Sequence, residues 1–87
     1  MVLQTETYGL KIKRIERTYF GCPSQWVGKL EDDRVVYVRY RWGILSVGIG
    51  DDIEEATKRI VYKLPYGDMH DGVINLNEVL DLTGMVM

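Results

Sequence analysis

The sequence predicts a small α+β domain, in which an antiparallel β-meander sheet carries one amphipathic helix packed on one face and a short C-terminal helix. Apolar and polar residues alternate in consecutive segments between positions 8 and 49, and short polar or glycine-containing turns separate them. Helical spacing begins near position 53. Because 87 residues suffice for one small core, we expect a single domain over residues 1–87, with a homodimer as an aid to stability.

The first predicted strand runs from about Thr7 to Thr18. Its apolar and polar residues alternate until Ile15 breaks the pattern, which predicts a bulge or bend near Arg14. Glycine and proline then mark a turn at residues 21–24.

A hairpin is predicted next, with strands at Trp26–Leu30 and Val35–Tyr40 around a polar tip. We expect a two-residue turn at Asp32 and Asp33. In that register, the facing pairs are Leu30 with Val35, Gly28 with Tyr37 and Trp26 with Arg39.

Gly43 marks the following reversal, and Ile44–Ile49 is predicted as the next strand. We expect a two-residue turn at Trp42 and Gly43, although it requires an unusual positive φ at Trp42. This register is preferred because it gathers the large apolar residues on one face, whereas a shift of one residue would place glycine and serine there. The apolar set is Val36, Val38, Tyr40, Leu45, Val47 and Ile49.

A surface helix is predicted from Ile53 to Leu64, with Asp51 or Asp52 as its N-cap and Pro65 as its end. Its polar face carries two favourable pairs at i,i+4 spacing, Glu54 with Lys58 and Glu55 with Arg59.

The C-terminal region predicts a short strand at Val73–Leu76, a helix cap at Asn77 and a short helix at Glu78–Leu82 that Gly84 closes. Met85–Met87 is an apolar tail, which we expect to pack on the core or on a second subunit.

Composition excludes several classes of protein. Cys22 and His70 are the only cysteine and histidine, so an internal disulfide is impossible and a structural zinc site is not expected. Apolar runs are only a few residues long and the amino terminus lacks the pattern of a signal peptide, so we expect no membrane span and a cytoplasmic location. Residues 1–50 carry a net charge of +3 and residues 51–87 a net charge of −5, a difference that suits either an anionic partner or acidic helix caps and turns.

No motif indicates catalysis. Segment 67–78 ends like a calcium-binding EF-hand loop, but Gly67 and Met69 stand where carboxylate ligands are required. The sequence GIGDDI has the glycine spacing of a phosphate-binding loop, yet its two aspartates would repel a phosphate. His70 has no nucleophile or orienting carboxylate at motif spacing. We therefore expect a protein that is not an enzyme and uses no metal or cofactor.

The candidate binding site is the face of the sheet opposite the apolar set, where we place Trp26, Tyr37, Arg39 and Arg41. Aromatic rings and guanidinium groups on an open sheet are typical of anion-binding and base-stacking surfaces. The same residues also suit contact with a protein partner or a second copy, or simple packing of Trp26 on Arg39. We expect a protein partner, with an anionic small molecule or single-stranded nucleic acid as the alternative.

The block CPSQWVGKLEDDRVVYVRYRWGILSV, from Cys22 to Val47, resembles a pattern found in small uncharacterised proteins of bacteria and their phages. It covers under a third of the chain. The resemblance implies a protein that binds and inhibits a host defence or regulatory protein, or one that sequesters a nucleotide signal.

Overall fold

Five strands form one antiparallel sheet in chain order, with one helix between the last two strands and another after them. The computed structural model describes residues 7–19, 24–67 and 74–87. The elements are β1 (Ile12–Tyr19), β2 (Ser24–Leu30), β3 (Val35–Arg41), β4 (Ile44–Gly50), α1 (Ile53–Lys58), β5 (Ile60–Pro65) and α2 (Leu76–Thr83). This architecture confirms the predicted α+β meander, with one helix packed on the sheet and a short C-terminal helix.

Neither helix of the described chain has the length and apolar character that crossing a bilayer requires.

One face of the sheet, the core face, holds the large apolar side chains. In the central strands these are Trp26, Val36, Val38, Tyr40, Leu45, Val47 and Ile49. α2 and the C-terminal tail cover this face, since Val79 and Met85 are buried in the same cluster. The phenol of Tyr62 on β5 donates to the carbonyl oxygen of Leu82 at 2.9 Å, which ties α2 to the sheet edge. The predicted apolar set is therefore the core.

The opposite face, the back face, carries α1. A Cβ built on Gly48 would lie 1.7 Å from the carbonyl oxygen of Ala56, and one on Gly50 would lie 2.7 Å from side-chain atoms of Glu55. Ala56 is fully buried. The helix backbone therefore lies directly on β4, at a distance that only glycine permits.

α1 begins as predicted and ends earlier. Oδ1 of Asp52 accepts from the backbone N–H of Glu55 at 2.8 Å, which confirms a helix start at this position. The helix ends at Lys58 and residues 60–65 pair with β4, so the predicted helix to Leu64 was wrong in its second half. The apolar residues at 60, 61 and 64 fit the periodicity of a helix as well as that of a strand. The β-branched and aromatic run Ile-Val-Tyr favours the strand.

The hairpin between β3 and β4 has the predicted register. Arg41 pairs with Ile44, and the two turn residues have φ of 58° at Trp42 and 69° at Gly43. Positive φ at both central residues is the signature of a type I′ turn. The hydrophobic pattern predicted this turn correctly against the conformational preference of tryptophan.

The register predicted between β2 and β3 was wrong by one residue. The backbone N–H of Leu30 donates to the carbonyl oxygen of Arg34 at 2.9 Å, so the loop contains three residues rather than two. Asp33 takes the left-handed conformation, with φ of 71°, that closes such a loop. Trp26 consequently faces Val38.

Several details at the two ends of the chain differ from the predictions. β1 begins at Ile12 rather than Thr7, and the predicted irregularity near Arg14 is confirmed by a register shift after Ile12. The N-cap of α2 is Asn75 rather than Asn77, because Asn75 stands three residues before Glu78 and accepts from its backbone N–H at 2.9 Å.

The short strand predicted at Val73–Leu76 is also corrected in part. Leu76 is the first residue of α2, and Val73 lies outside the described residues. The C-terminal tail meets the core, as expected, through Met85.

We predict that Gly48→Ala lowers the free energy of unfolding by about 2 to 3 kcal/mol, because the new methyl group displaces the backbone of α1. Ser46→Ala on the same strand is the matched control and changes it by less than about 0.5 kcal/mol. Urea denaturation measures both. Equal stability of Gly48→Ala and the wild type would contradict the close approach of helix and strand.

We also predict a loss of stability at alkaline pH that depends on Tyr62. Burial raises the pKa of Tyr62 above its ordinary value of 10.0, so the stability it contributes is complete below about pH 10 and is lost as the pH rises through the folded-state pKa. Tyr62→Phe should show a shallower decline above pH 10 in denaturant titrations. Tyr8→Phe, at a side chain that is 78% exposed, is the control and should decline like the wild type. Parallel curves for all three proteins would refute the prediction.

Candidate functional site

Part of the back face stays open beyond the C-terminal end of α1 and forms a groove of about 300 Å³. We call it the back-face groove. Its lining residues are Arg39, Arg41, Trp42, Ile44, Ser46, Thr57, Ile60 and Lys63. Three of these side chains are cationic and none is a carboxylate, so the described lining has a positive charge.

The cations of the groove come from neighbouring strands. Ser46 on β4 pairs with Arg39 on β3 and with Lys63 on β5, so the small serine separates two exposed cations. Arg41 lies two residues further along β3 and faces the same side. Within the described ranges, no carboxylate forms an ion pair with any of the three cations. Their charges are therefore not neutralised by any carboxylate in the part of the chain that the structure describes.

An aromatic and aliphatic edge borders the cations. Trp42 is 59% exposed, and the guanidinium carbon of Arg41 lies 4.9 Å from its ring centroid. This is within the range of a cation–π contact, which orients both groups. Ile44 and Ile60 add apolar surface to the groove. The arrangement can hold an anionic group and an apolar group side by side.

The structure brings Arg39 and Arg41 together as predicted but excludes Trp26 from the same face. Trp26 is 4% exposed on the core face, and the guanidinium carbon of Arg17 lies 5.3 Å from its ring centroid. The three-residue loop between β2 and β3 causes this, because a shift of one residue exchanges the two faces of a strand. The predicted contact of Trp26 with Arg39 was wrong.

Tyr37 lies on the back face as predicted, but its surroundings differ. It pairs with Val27 and Gly48 rather than with two glycines, and α1 packs on Gly48 beside it. The side chain is half-buried and does not line the groove. Tyr37 therefore belongs to the part of the back face that the helix occupies.

Sequence reasoning missed most of the other lining residues. The positions of Ile44 and Ser46 on the back face follow from the correctly predicted turn, because the two residues pair with Arg41 and Arg39. Ile60 and Lys63 were assigned to a helix, so their place beside β4 was not foreseen.

A larger depression of about 590 Å³ borders α1 and is lined by Asp52, Glu54, Glu55, Lys58 and Arg59. Most of its charges are already used within the chain. Glu54 pairs with Lys58 at 3.2 Å, and the carboxylates of Asp52 and Glu55 accept backbone N–H groups at the start of the helix. We therefore regard the back-face groove as the better candidate.

Cys22, His70 and Gly72, which takes the place of the invariant glycine when segment 67–78 is compared with a calcium-binding loop, lie outside the described residues. In residues 7–19, 24–67 and 74–87, no three side chains of histidine, cysteine, aspartate or glutamate are grouped closely enough to hold a metal ion.

The resemblance of residues 22–47 to small bacterial and phage proteins stays a prediction. No protein-family model, curated protein or solved structure matches this chain.

Proposed function

We propose that this protein is a non-catalytic binding protein that holds an acidic segment of a partner protein in the back-face groove. The observation that carries the proposal is the cluster of Arg39, Arg41 and Lys63, which has no carboxylate beside it among the described lining residues and lies beside the exposed Trp42. Tryptophan and arginine are the residues most enriched where protein interfaces concentrate their binding energy.

The composition of the groove supports binding rather than catalysis. Among the described residues, its lining contains no histidine, cysteine or carboxylate that would act as a general acid, general base or nucleophile. Ser46 is the hydroxyl that could be compared with a nucleophilic serine, but it donates to the backbone carbonyl of Arg39 at 3.4 Å, and no described lining residue is a base that could activate it.

Charge favours a protein partner over nucleic acid. The groove offers three cations, while the carboxylates of Asp51, Asp52 and Glu54 lie around the start of α1, which packs on the same back face. A long polyanion would meet this acidic region, whereas a short acidic segment would not. Ile44, Ile60 and Trp42 also give the groove an apolar part that suits protein side chains.

The class of partner that we propose is a host defence or regulatory protein, which the resemblance of residues 22–47 implies. A homodimer is compatible with this proposal, since a second copy need not occupy the groove.

We predict that Arg39→Glu weakens binding of a short fluorescein-labelled peptide of alternating glutamate and leucine at least about tenfold, because a hydrogen bond to a charged group contributes about 1.5 to 3 kcal/mol. Fluorescence anisotropy measures the affinity, and the thermal midpoint should stay unchanged. Arg14→Glu makes the same charge change at an exposed position of β1, outside the groove, and should bind like the wild type.

Three results would count against the proposal. Equal weakening by Arg39→Glu and Arg14→Glu would show a non-specific charge effect. A loss of folding in Arg39→Glu would assign the residue a structural role. Tighter binding of a labelled oligothymidylate than of the peptide, with an affinity that falls steeply as salt is added, would identify single-stranded nucleic acid as the occupant.

A further inference from the structure

Trp42 occupies a backbone position that disfavours tryptophan. It is the first central residue of the type I′ turn between β3 and β4, with φ of 58°. This position is normally taken by asparagine, aspartate or glycine, because other side chains crowd the backbone when φ is positive. The turn would form more readily with asparagine in place of Trp42.

Packing against the described residues does not compensate for this conformation. Trp42 is 59% exposed and is not part of the hydrophobic core. Its contact with the guanidinium of Arg41 lies on the surface, where a cation–π pair contributes little to folding. A strained residue that folding does not require points to a role in function.

Trp42 lies at a position where it could contact a bound partner. It lines the back-face groove beside Arg39 and Arg41, and the rigid two-residue turn holds its backbone. The adjacent guanidinium orients the ring. An indole held in this way loses little freedom on binding, which is what an interface anchor requires.

We infer that Trp42 is the anchor of the back-face groove and that it packs against an apolar side chain of the partner segment, next to a carboxylate held by Arg41. The inference rests on the proposed function and adds the chemistry of the occupant, which is an acidic segment with an apolar residue beside its carboxylates. The groove matches this chemistry because its cations and its apolar edge adjoin.

Trp42→Asn tests the inference in two independent measurements. We expect the thermal midpoint to rise by roughly 4 to 8 °C, because asparagine accepts the left-handed conformation. We expect the affinity for the labelled glutamate–leucine peptide to fall at least about tenfold. The affinity for a labelled polyglutamate peptide of equal length should change less than threefold, since the cations remain. Trp42→Phe, which keeps an aromatic ring and the strain, should retain most of the peptide affinity at an unchanged midpoint.

Three results would overturn part or all of this inference. An unchanged or lower midpoint in Trp42→Asn overturns the argument from strain. Retained affinity for the glutamate–leucine peptide, or an equal loss for both peptides, overturns the role as an apolar anchor while leaving the proposed function intact. Failure of the wild type to bind either peptide rejects the proposed function itself and the anchor with it.

Discussion

The close contact between α1 and β4 is the constraint on which the rest of the back face depends. Gly48 and Gly50 have no side chains, so the backbone of α1 reaches the sheet at Ala56 and covers one part of the face. Strand residues with larger side chains would hold the helix farther from the sheet. The helix thereby buries part of the back face over β3 and β4. The back-face groove is the part of this face that lies beyond the end of α1 and stays exposed.

Charged side chains elsewhere on the described surface form ion pairs, whereas the cations of the groove do not, and this difference distinguishes the groove. Several carboxylates have partners within the chain: Asp32 contacts Arg34, Asp33 contacts Lys13, and Glu54 contacts Lys58. The hydrogen bond from the backbone N–H of Arg34 lowers the pKa of Asp32, and the hydrogen bond from Lys13 lowers the pKa of Asp33. Surface pairs of this kind add little stability, but they leave those cations less free to bind an external anion. The cations of the groove have no such pairing with a carboxylate in the described chain.

Most of the fold followed from the sequence, and the failures have physical causes. Alternation from Val36 to Ile49 predicted the core face and the turn at Trp42, because a shift of one residue would have exposed the apolar set. The register of β2 depended on whether the loop after Leu30 has two or three residues, and nothing in its polar sequence distinguishes these lengths. That single residue moved Trp26 from the predicted site into the core. Arg39 and Arg41 were placed correctly because they depend only on the turn at Trp42.

The length of α1 determines whether the groove exists. The predicted helix from Ile53 to Leu64 would extend about 18 Å, whereas the six residues of α1 extend about 9 Å, and β4 extends about 23 Å. A helix of the greater length would cover the side chain of Ser46 and carry Lys63 away from the sheet. Because the chain turns back at Arg59 and becomes β5, Lys63 pairs with Ser46 and completes the cationic row. The preference of residues 60–62 for a strand therefore both adds the edge strand β5 to the sheet and creates the surface to which we assign binding.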